Sequence, residues 1–205
     1  MIDDLKPNIG PYGDPIARTP AFDRIAASGV TFMNNYCQFP LSGPTRASVL
    51  TGLRPDHTGV WTLDGIFRRN NPEIVSLPQL FAAHGYETVG IGKVYHPLSD
   101  ETYNNDPVSW TKPYIKPQAP VYMLPEGKPV TECVDVPDNA YFDGRVADEA
   151  VAWIDSLSRS DKPFFLAVVF IRPHLPFVAP EKYWDLYDRD KMPLAEFQSM
   201  SSDPV

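Results

Sequence analysis

Cysteine is scarce in this chain: two occur among 205 residues, Cys37 and Cys133, far apart in sequence. Two thiols cannot build a disulfide framework, and by themselves they do not make a metal site. They could pair once, which leaves the redox compartment open. Also missing is any apolar run near the ~20 residues that a membrane-spanning helix takes, and no stretch has the pattern of a secretory signal peptide. Basic residues are outnumbered, 18 Lys and Arg against 26 Asp and Glu, for a net charge of -8. That balance argues against nucleic acid as a partner, because phosphate binding needs a basic face. An anionic small molecule stays open, since a local cluster of Arg, Lys and His can dominate one pocket. No internal repeat and no low-complexity stretch is present.

What is there is a globular composition, 43% apolar and 21% charged, in a chain long enough for one domain with a real core. Proline is the exception: the 23 prolines are about twice the average frequency. They lie largely between the apolar runs, which predicts long ordered loops.

Residues 1–5, Met-Ile-Asp-Asp-Leu, read as the end of a buried strand that delivers Asp3 and Asp4 to a loop. The alternative for this pair is an exposed acidic terminus. Thr19-Pro20 opens a helix through Phe22, Ile25 and Ala26, which Gly29 stops. Residues 30–34 read as a strand, and 56–72 as a loop holding Trp61, Phe67 and the pair Arg68-Arg69. Ser76-Leu77-Pro78 starts another helix, ended by Gly85, and 87–94 is a glycine-interrupted strand. Residues 97–139 have little periodicity and many prolines, so they read as one long loop or insertion, which is uncommon inside a compact domain without a functional reason. Helical spacing returns over 142–157 through Val146, Ala150, Trp153 and Ile154. Residues 163–171 are the most apolar run and read as a strand buried on both faces. The alternation predicts an α/β sheet with helices packed on its faces.

The chain is organised around residues 37–55, in which Ser42-Gly43-Pro44-Thr45-Arg46 leads into Ala47-Ser48-Val49-Leu50-Thr51-Gly52. A hydroxyl sits on a tight Gly-Pro turn, and a helix follows over 45–53, with Pro44 suited to its first turn. Such a helix points free N–H groups and its positive dipole end back at Ser42, an anion site that Arg46 reinforces. The plainer alternative is that Ser42 only caps the helix. Two more clusters follow predicted strands, where open α/β sheets place their ligands. These are Gly92-Lys93-Val94-Tyr95-His96-Pro97 and Arg172-Pro173-His174-Leu175-Pro176-Phe177. Either histidine alone is more often a structural hydrogen-bonding residue. Their shared placement after strands favours convergence.

Ser-x-Pro-x-Arg extended by Ala-Ser-x-Leu-Thr-Gly resembles the signature of the type I, formylglycine-dependent sulfatases, in its serine form. The Lys93–His96 and Pro173–Phe177 clusters, Ser109-Trp110 and Asp135-Val136-Pro137 resemble the iduronate-2-sulfatase-like branch, in the family's order. The resemblance implies an alkaline-phosphatase-like α/β fold, with a largely parallel sheet and helices on both faces. It implies that a maturase oxidises Ser42 to formylglycine, and that Asp3, Asp4 and residue 42 ligate a divalent cation, calcium first, through oxygen donors. Arg46, Lys93 and His96 would then hold the sulfate and the hydrated aldehyde, and His174 would protonate the leaving oxygen. The implied reaction is hydrolysis of a sulfate ester, with sulfated sugars of the glycosaminoglycan type as the expected substrates.

The Asp-His-Gly segment from which sulfatases draw further calcium ligands does not occur; Asp56-His57-Thr58 is no equivalent. The expectation is therefore that residues 1–205 are the N-terminal part of one sulfatase catalytic domain, clipped in its first strand and lacking its second half, with weak calcium binding. Two other readings stay open: a phosphonate or phosphodiester hydrolase of the same superfamily, and a non-catalytic remnant. Sulfatases are often periplasmic, secreted or lysosomal, and the compartment here is left open.

Overall fold

A computed structural model describes residues 1–96, 105–125 and 128–199. Two parallel strands form its centre: β1 (Glu87–Gly92) pairs residue for residue with β3 (Phe164–Val169), from Glu87 opposite Phe164 to Gly92 opposite Val169. Isolated parallel bridges widen this sheet at both edges, Ile91 with Ile115 and Ile2 with Phe170. A second parallel pair joins β2 (Thr131–Val134) to β4 (Phe177–Pro180).

Helices cover both faces. α2 (Ser42–Thr51) contributes Ala47 and Leu50 to one core cluster with Val60, Phe67, Val94, Tyr95 and Val169. α6 (Phe142–Ser158) contributes Val146, Ala150 and Leu157 to the other, with Val89 and Ile91 of β1. The short helices are α1 (Pro20–Ala27), α3 (Pro55–Thr58), α4 (Phe67–Asn70), α5 (Leu77–Ala83) and α7 (Glu181–Trp184). The Ser76 side chain caps α5 by accepting from the Gln79 amide, and Gln79 returns a bond to the Ser76 amide.

The structure departs from the sequence expectations in five places. Residues 30–34 form no strand, and Val30 and Phe32 are 80% and 69% exposed. A strand persists by pairing its backbone, and no described strand lies beside this segment. Residues 163–171 do form β3, but of its residues only Val169 is buried and Phe164 is 40% exposed. β1 flanks one edge along the whole strand, whereas Met1–Asp3 reach the other only at its end. The 56–72 loop holds α3 and α4, tied together by Asn70 and Asn71 side chains that donate to the carbonyls of Gly59 and His57. α2 starts at Ser42, not after it, so Ser42 lies inside the first turn. Part of the 97–139 segment lies outside the described residues, but Thr131–Val134 within it is β2.

Candidate active site

The ends of β1 and β3, the first residues of the chain and the start of α2 meet at one edge of the sheet. Gly92 makes the first of these junctions possible. Its φ is +87°, and a Cβ there would stand 2.1 Å from the carbonyl oxygen of Val169, so only glycine lets β1 turn so close to β3. The turn carries Lys93 inward, where it is 7% exposed. On the far edge the Asp3 amide bonds the Phe170 carbonyl at 3.0 Å, which keeps Asp3 in the sheet. The next residue, Asp4, leaves it with φ +52°.

Asp3 is the centre of a buried ionic cluster. Its Oδ1 accepts from Arg46 Nη2 at 2.6 Å and from the Ser42 hydroxyl at 3.2 Å. Its Oδ2 accepts from Lys93 Nζ. Arg46 Nε donates to Ser42 Oγ at 2.9 Å, and Nη1 reaches the carbonyls of Lys93 and Val94. The guanidinium thus spans Ser42, Asp3 and the Lys93 backbone. Burial alone would raise the Asp3 pKa, but the Lys93 and Arg46 hydrogen bonds outweigh it and hold the carboxyl below the ordinary range.

The cap alternative for Ser42 is not what forms. Leu41 is the N-cap, and Ser42 Oγ is engaged by Asp3 and Arg46. The alternative of an exposed acidic pair fails for Asp3, which is 5% exposed, and holds only for Asp4.

Above this floor opens a cavity of about 680 Å³, lined by Asp3, Asp4, Ser42, Arg46, His96 and His174 among others. His174 Nε2 lies 3.8 Å from Asp4 Oδ2. Its Nδ1 is 2.8 Å from the Leu175 carbonyl, which can only accept, so Nδ1 carries the proton and Nε2 faces Asp4. His96 Nδ1 is buried and has no hydrogen-bond partner among the described residues. Burial, with the charges of Lys93 and Arg46 adding to it, pushes the His96 pKa down and favours the neutral ring. Every residue expected at the site from the sequence is therefore gathered here, with Lys93 reaching it through Asp3.

The donor set has the character a hard cation takes, two carboxylates and a hydroxyl. It is partial: both Asp3 oxygens are bonded to cationic side chains, and among the described residues no group of three His, Cys, Asp or Glu could hold a metal.

Comparison with known proteins bears on the same residues. A sequence model of the sulfatase family matches residues 1–202. The chain belongs to the sulfatase family. Mouse iduronate 2-sulfatase is 34% identical over 95% of this chain, which spans 38% of that enzyme's length. A solved 2-O GAG sulfatase superposes with a TM-score of 0.59 at 27% identity, over 84% of this chain and 34% of its own. The phosphonate monoester hydrolase of Agrobacterium radiobacter superposes with a TM-score of 0.68 at 19% identity, over 94% of this chain and 44% of its own, and is a match of fold. The fold is the alkaline-phosphatase-like α/β arrangement of these sulfatases.

Three contributors carried no sequence signal. Asp106 sits in an aperiodic segment at φ +42°, yet it ion-pairs with Arg68 and accepts from Ser109 Oγ, in a buried network that reaches Tyr95, next to His96. Glu132 accepts from the amides of Met123 and Leu124 and from Tyr141, anchoring that loop to β2. Asp143 accepts from the amides of Ile171 and Arg172, just past the end of β3.

Proposed function

We propose that this protein is a sulfuric ester hydrolase acting on sulfated sugars, with Ser42 as the residue matured to formylglycine. The observation that carries this is the Ser42 hydroxyl itself. It is half-buried in the first turn of α2, bonded to both Arg46 and Asp3, and opens onto the same cavity as His96 and His174. A helix cap needs none of those partners. The sugar class is supported by the relatives, which are an iduronate 2-sulfatase and a 2-O GAG sulfatase.

Formylglycine at position 42 supplies, as its hydrate, two hydroxyls on one carbon, one nucleophilic and one whose loss of a proton can drive release of sulfate. A divalent cation would be held by Asp3, Asp4 and residue 42, and would supply positive charge to the site. The remaining roles belong to side chains already in place. Arg46 Nε and Nη2 fix residue 42 against Asp3, so the reacting oxygen has one orientation. Arg46 and Lys93 put two cations beside the charge that develops on sulfate, in a site where burial strengthens them. Neutral His96, which lines the same cavity as residue 42, has a free ring lone pair suited to taking a proton there. His174, with Nδ1 committed to Leu175, presents Nε2 as the one position from which a proton can pass to the leaving alcohol.

The test begins with maturation. Co-expression with a serine-type maturase should leave residue 42 two hydrogens lighter by peptide mass spectrometry and reactive with an aldehyde probe. Ser42→Ala should abolish both signals. An unmodified Ser42 under these conditions counts against the proposal. With matured protein, a panel of sugar sulfates, aryl sulfates and phosphonate monoesters then separates the sulfatase reading from the phosphonate hydrolase one. Preferential turnover of the phosphonate esters would replace the first by the second.

A further inference from the structure

Asp143, in the first turn of α6, takes no part in the chemistry described above. An acidic residue at that position commonly does no more than complement the dipole of its own helix. Here the carboxylate reaches off the helix. Its Oδ1 accepts from the Ile171 amide at 2.8 Å and its Oδ2 from the Arg172 amide at 2.7 Å. Those consecutive donors stand where the chain leaves the sheet just after Phe170 and enters the segment that carries His174. Two oxygens on two successive amides fix the direction of the chain as well as its place.

The bonds continue from there to the imidazole. The His174 amide donates to the Ile171 carbonyl at 2.9 Å, and the Arg172 guanidinium turns back onto the His174 carbonyl. The ring is then held through Nδ1 to Leu175 at 2.8 Å. The base of this chain of bonds cannot slide. A Cβ on Gly144 would stand 1.9 Å from the Asp138 carbonyl oxygen, and Arg145 Nε holds the Asn139 carbonyl at 2.9 Å, so the first turn of α6 is packed directly on the backbone before it.

We infer that Asp143 is a positioning residue: its clamp on Ile171 and Arg172 sets the imidazole of His174 over Asp4 at the mouth of the cavity. The consequence for catalysis rests on the sulfatase reading, whereas the placement of the ring does not. Asp143→Asn probes both, because a carboxamide has one acceptor oxygen for the two amides and aims a donor at one of them. In matured protein, Asp143→Asn should lower kcat about tenfold on alkyl sulfate esters, whose leaving oxygen needs a proton, with KM within about twofold. An activated aryl sulfate should be turned over at close to the parent rate. His174→Ala should show the same dependence on the leaving group. Equal loss on both ester classes would overturn the inference.

A second measurement needs no turnover. In protein carrying isotope-labelled histidine, Asp143→Asn should move the ring signals of His174 and leave those of His57 and His84 in place. Unmoved His174 signals in a folded variant overturn the inference whatever the activity. Moved signals in a protein that hydrolyses no sulfate ester would retain the positioning role and remove the functional reading instead. Should Asp143→Asn fail to fold, Asp143→Glu keeps both acceptor oxygens and carries the same two readouts, with a smaller loss of kcat expected.

Discussion

Asp3 and Asp4 are neighbours in sequence with the same side chain, and they occupy opposite environments. The Asp3 side chain is 5% exposed and bonded to Arg46, Lys93 and Ser42. The Asp4 side chain is 57% exposed and lies 3.8 Å from His174. One backbone step separates them, from sheet pairing at Asp3 to φ +52° at Asp4. The floor of the cavity is thus fixed by interactions that fold with the sheet, while its rim is held by loops and stays open to solvent. Such a division suits an anion site, with the cations immobile before a ligand arrives and the rim side chains reachable by it.

The largest expected difference between floor and rim is in stability. Asp3→Asn leaves Arg46 and Lys93 buried without a counter-charge and should cost about 3–5 kcal/mol in denaturant unfolding. Asp4→Asn should fall within about 0.5 kcal/mol, because the side chain is exposed and asparagine tolerates a positive φ. Equal costs for the two substitutions would abolish the distinction.

Next in size is Arg46→Lys. An ammonium keeps the charge but cannot bond Ser42, Asp3 and the Lys93 carbonyl together, so a loss of about 2 kcal/mol is expected, read by the same unfolding curves. A neutral result would mean that charge alone, and not the fork geometry, organises the floor.

On the rim, Leu175 holds the ring of His174 only through its carbonyl, so His174→Gln should change stability by less than about 0.5 kcal/mol. In matured protein the same substitution should reduce kcat on alkyl sulfates by about a hundredfold. A large melting shift in this variant would place His174 with the floor.

The smallest expected effect is a slope with pH, measured in chelator. Folding lowers the His96 pKa, so the neutral ring belongs to the folded state. Its contribution is fully present above the ordinary value of 6.5 and is lost as pH falls through the lower folded value. Melting temperatures should therefore decline gently as pH falls from 6.5 to that lower value, and His96→Gln should flatten the decline. The Asp3 contribution has the same sign at lower pH: it is present above 3.8 and is lost as pH falls through its depressed folded value.

How much of this was legible depended on whether a feature is local. The helices at 20–27, 77–83 and 142–158 carry their own start signals and apolar spacing, and they form within a few residues of where the sequence places them. β1 and β3 were legible as apolar runs. Residues 30–34 have the same local character as a strand and form none, because pairing is supplied by another part of the chain. The reverse holds for Thr131–Val134, which sits in a proline-rich stretch without periodicity and becomes a strand through β4. Ser42, Arg46, Lys93, His96 and His174 stood out by motif. Asp106, Glu132 and Asp143 did not, because a carboxylate that binds distant backbone or a distant arginine leaves no spacing to read.

By itself the sequence determined the family, the order of helices and central strands, and which residues could carry the chemistry, since all of these rest on short-range pattern. Only the tertiary structure decided that Asp3 turns in and Asp4 out, that Ser42 bonds Arg46 and Asp3 instead of capping its helix, and that Asp143 reaches the segment bearing His174. Apart from the Ser42–Arg46 bond, the hydrogen bonds that make these junctions join residues 28, 39, 43 and 90 positions apart. Burial and charge at such a junction are properties of what packs there, and no single stretch of chain contains them.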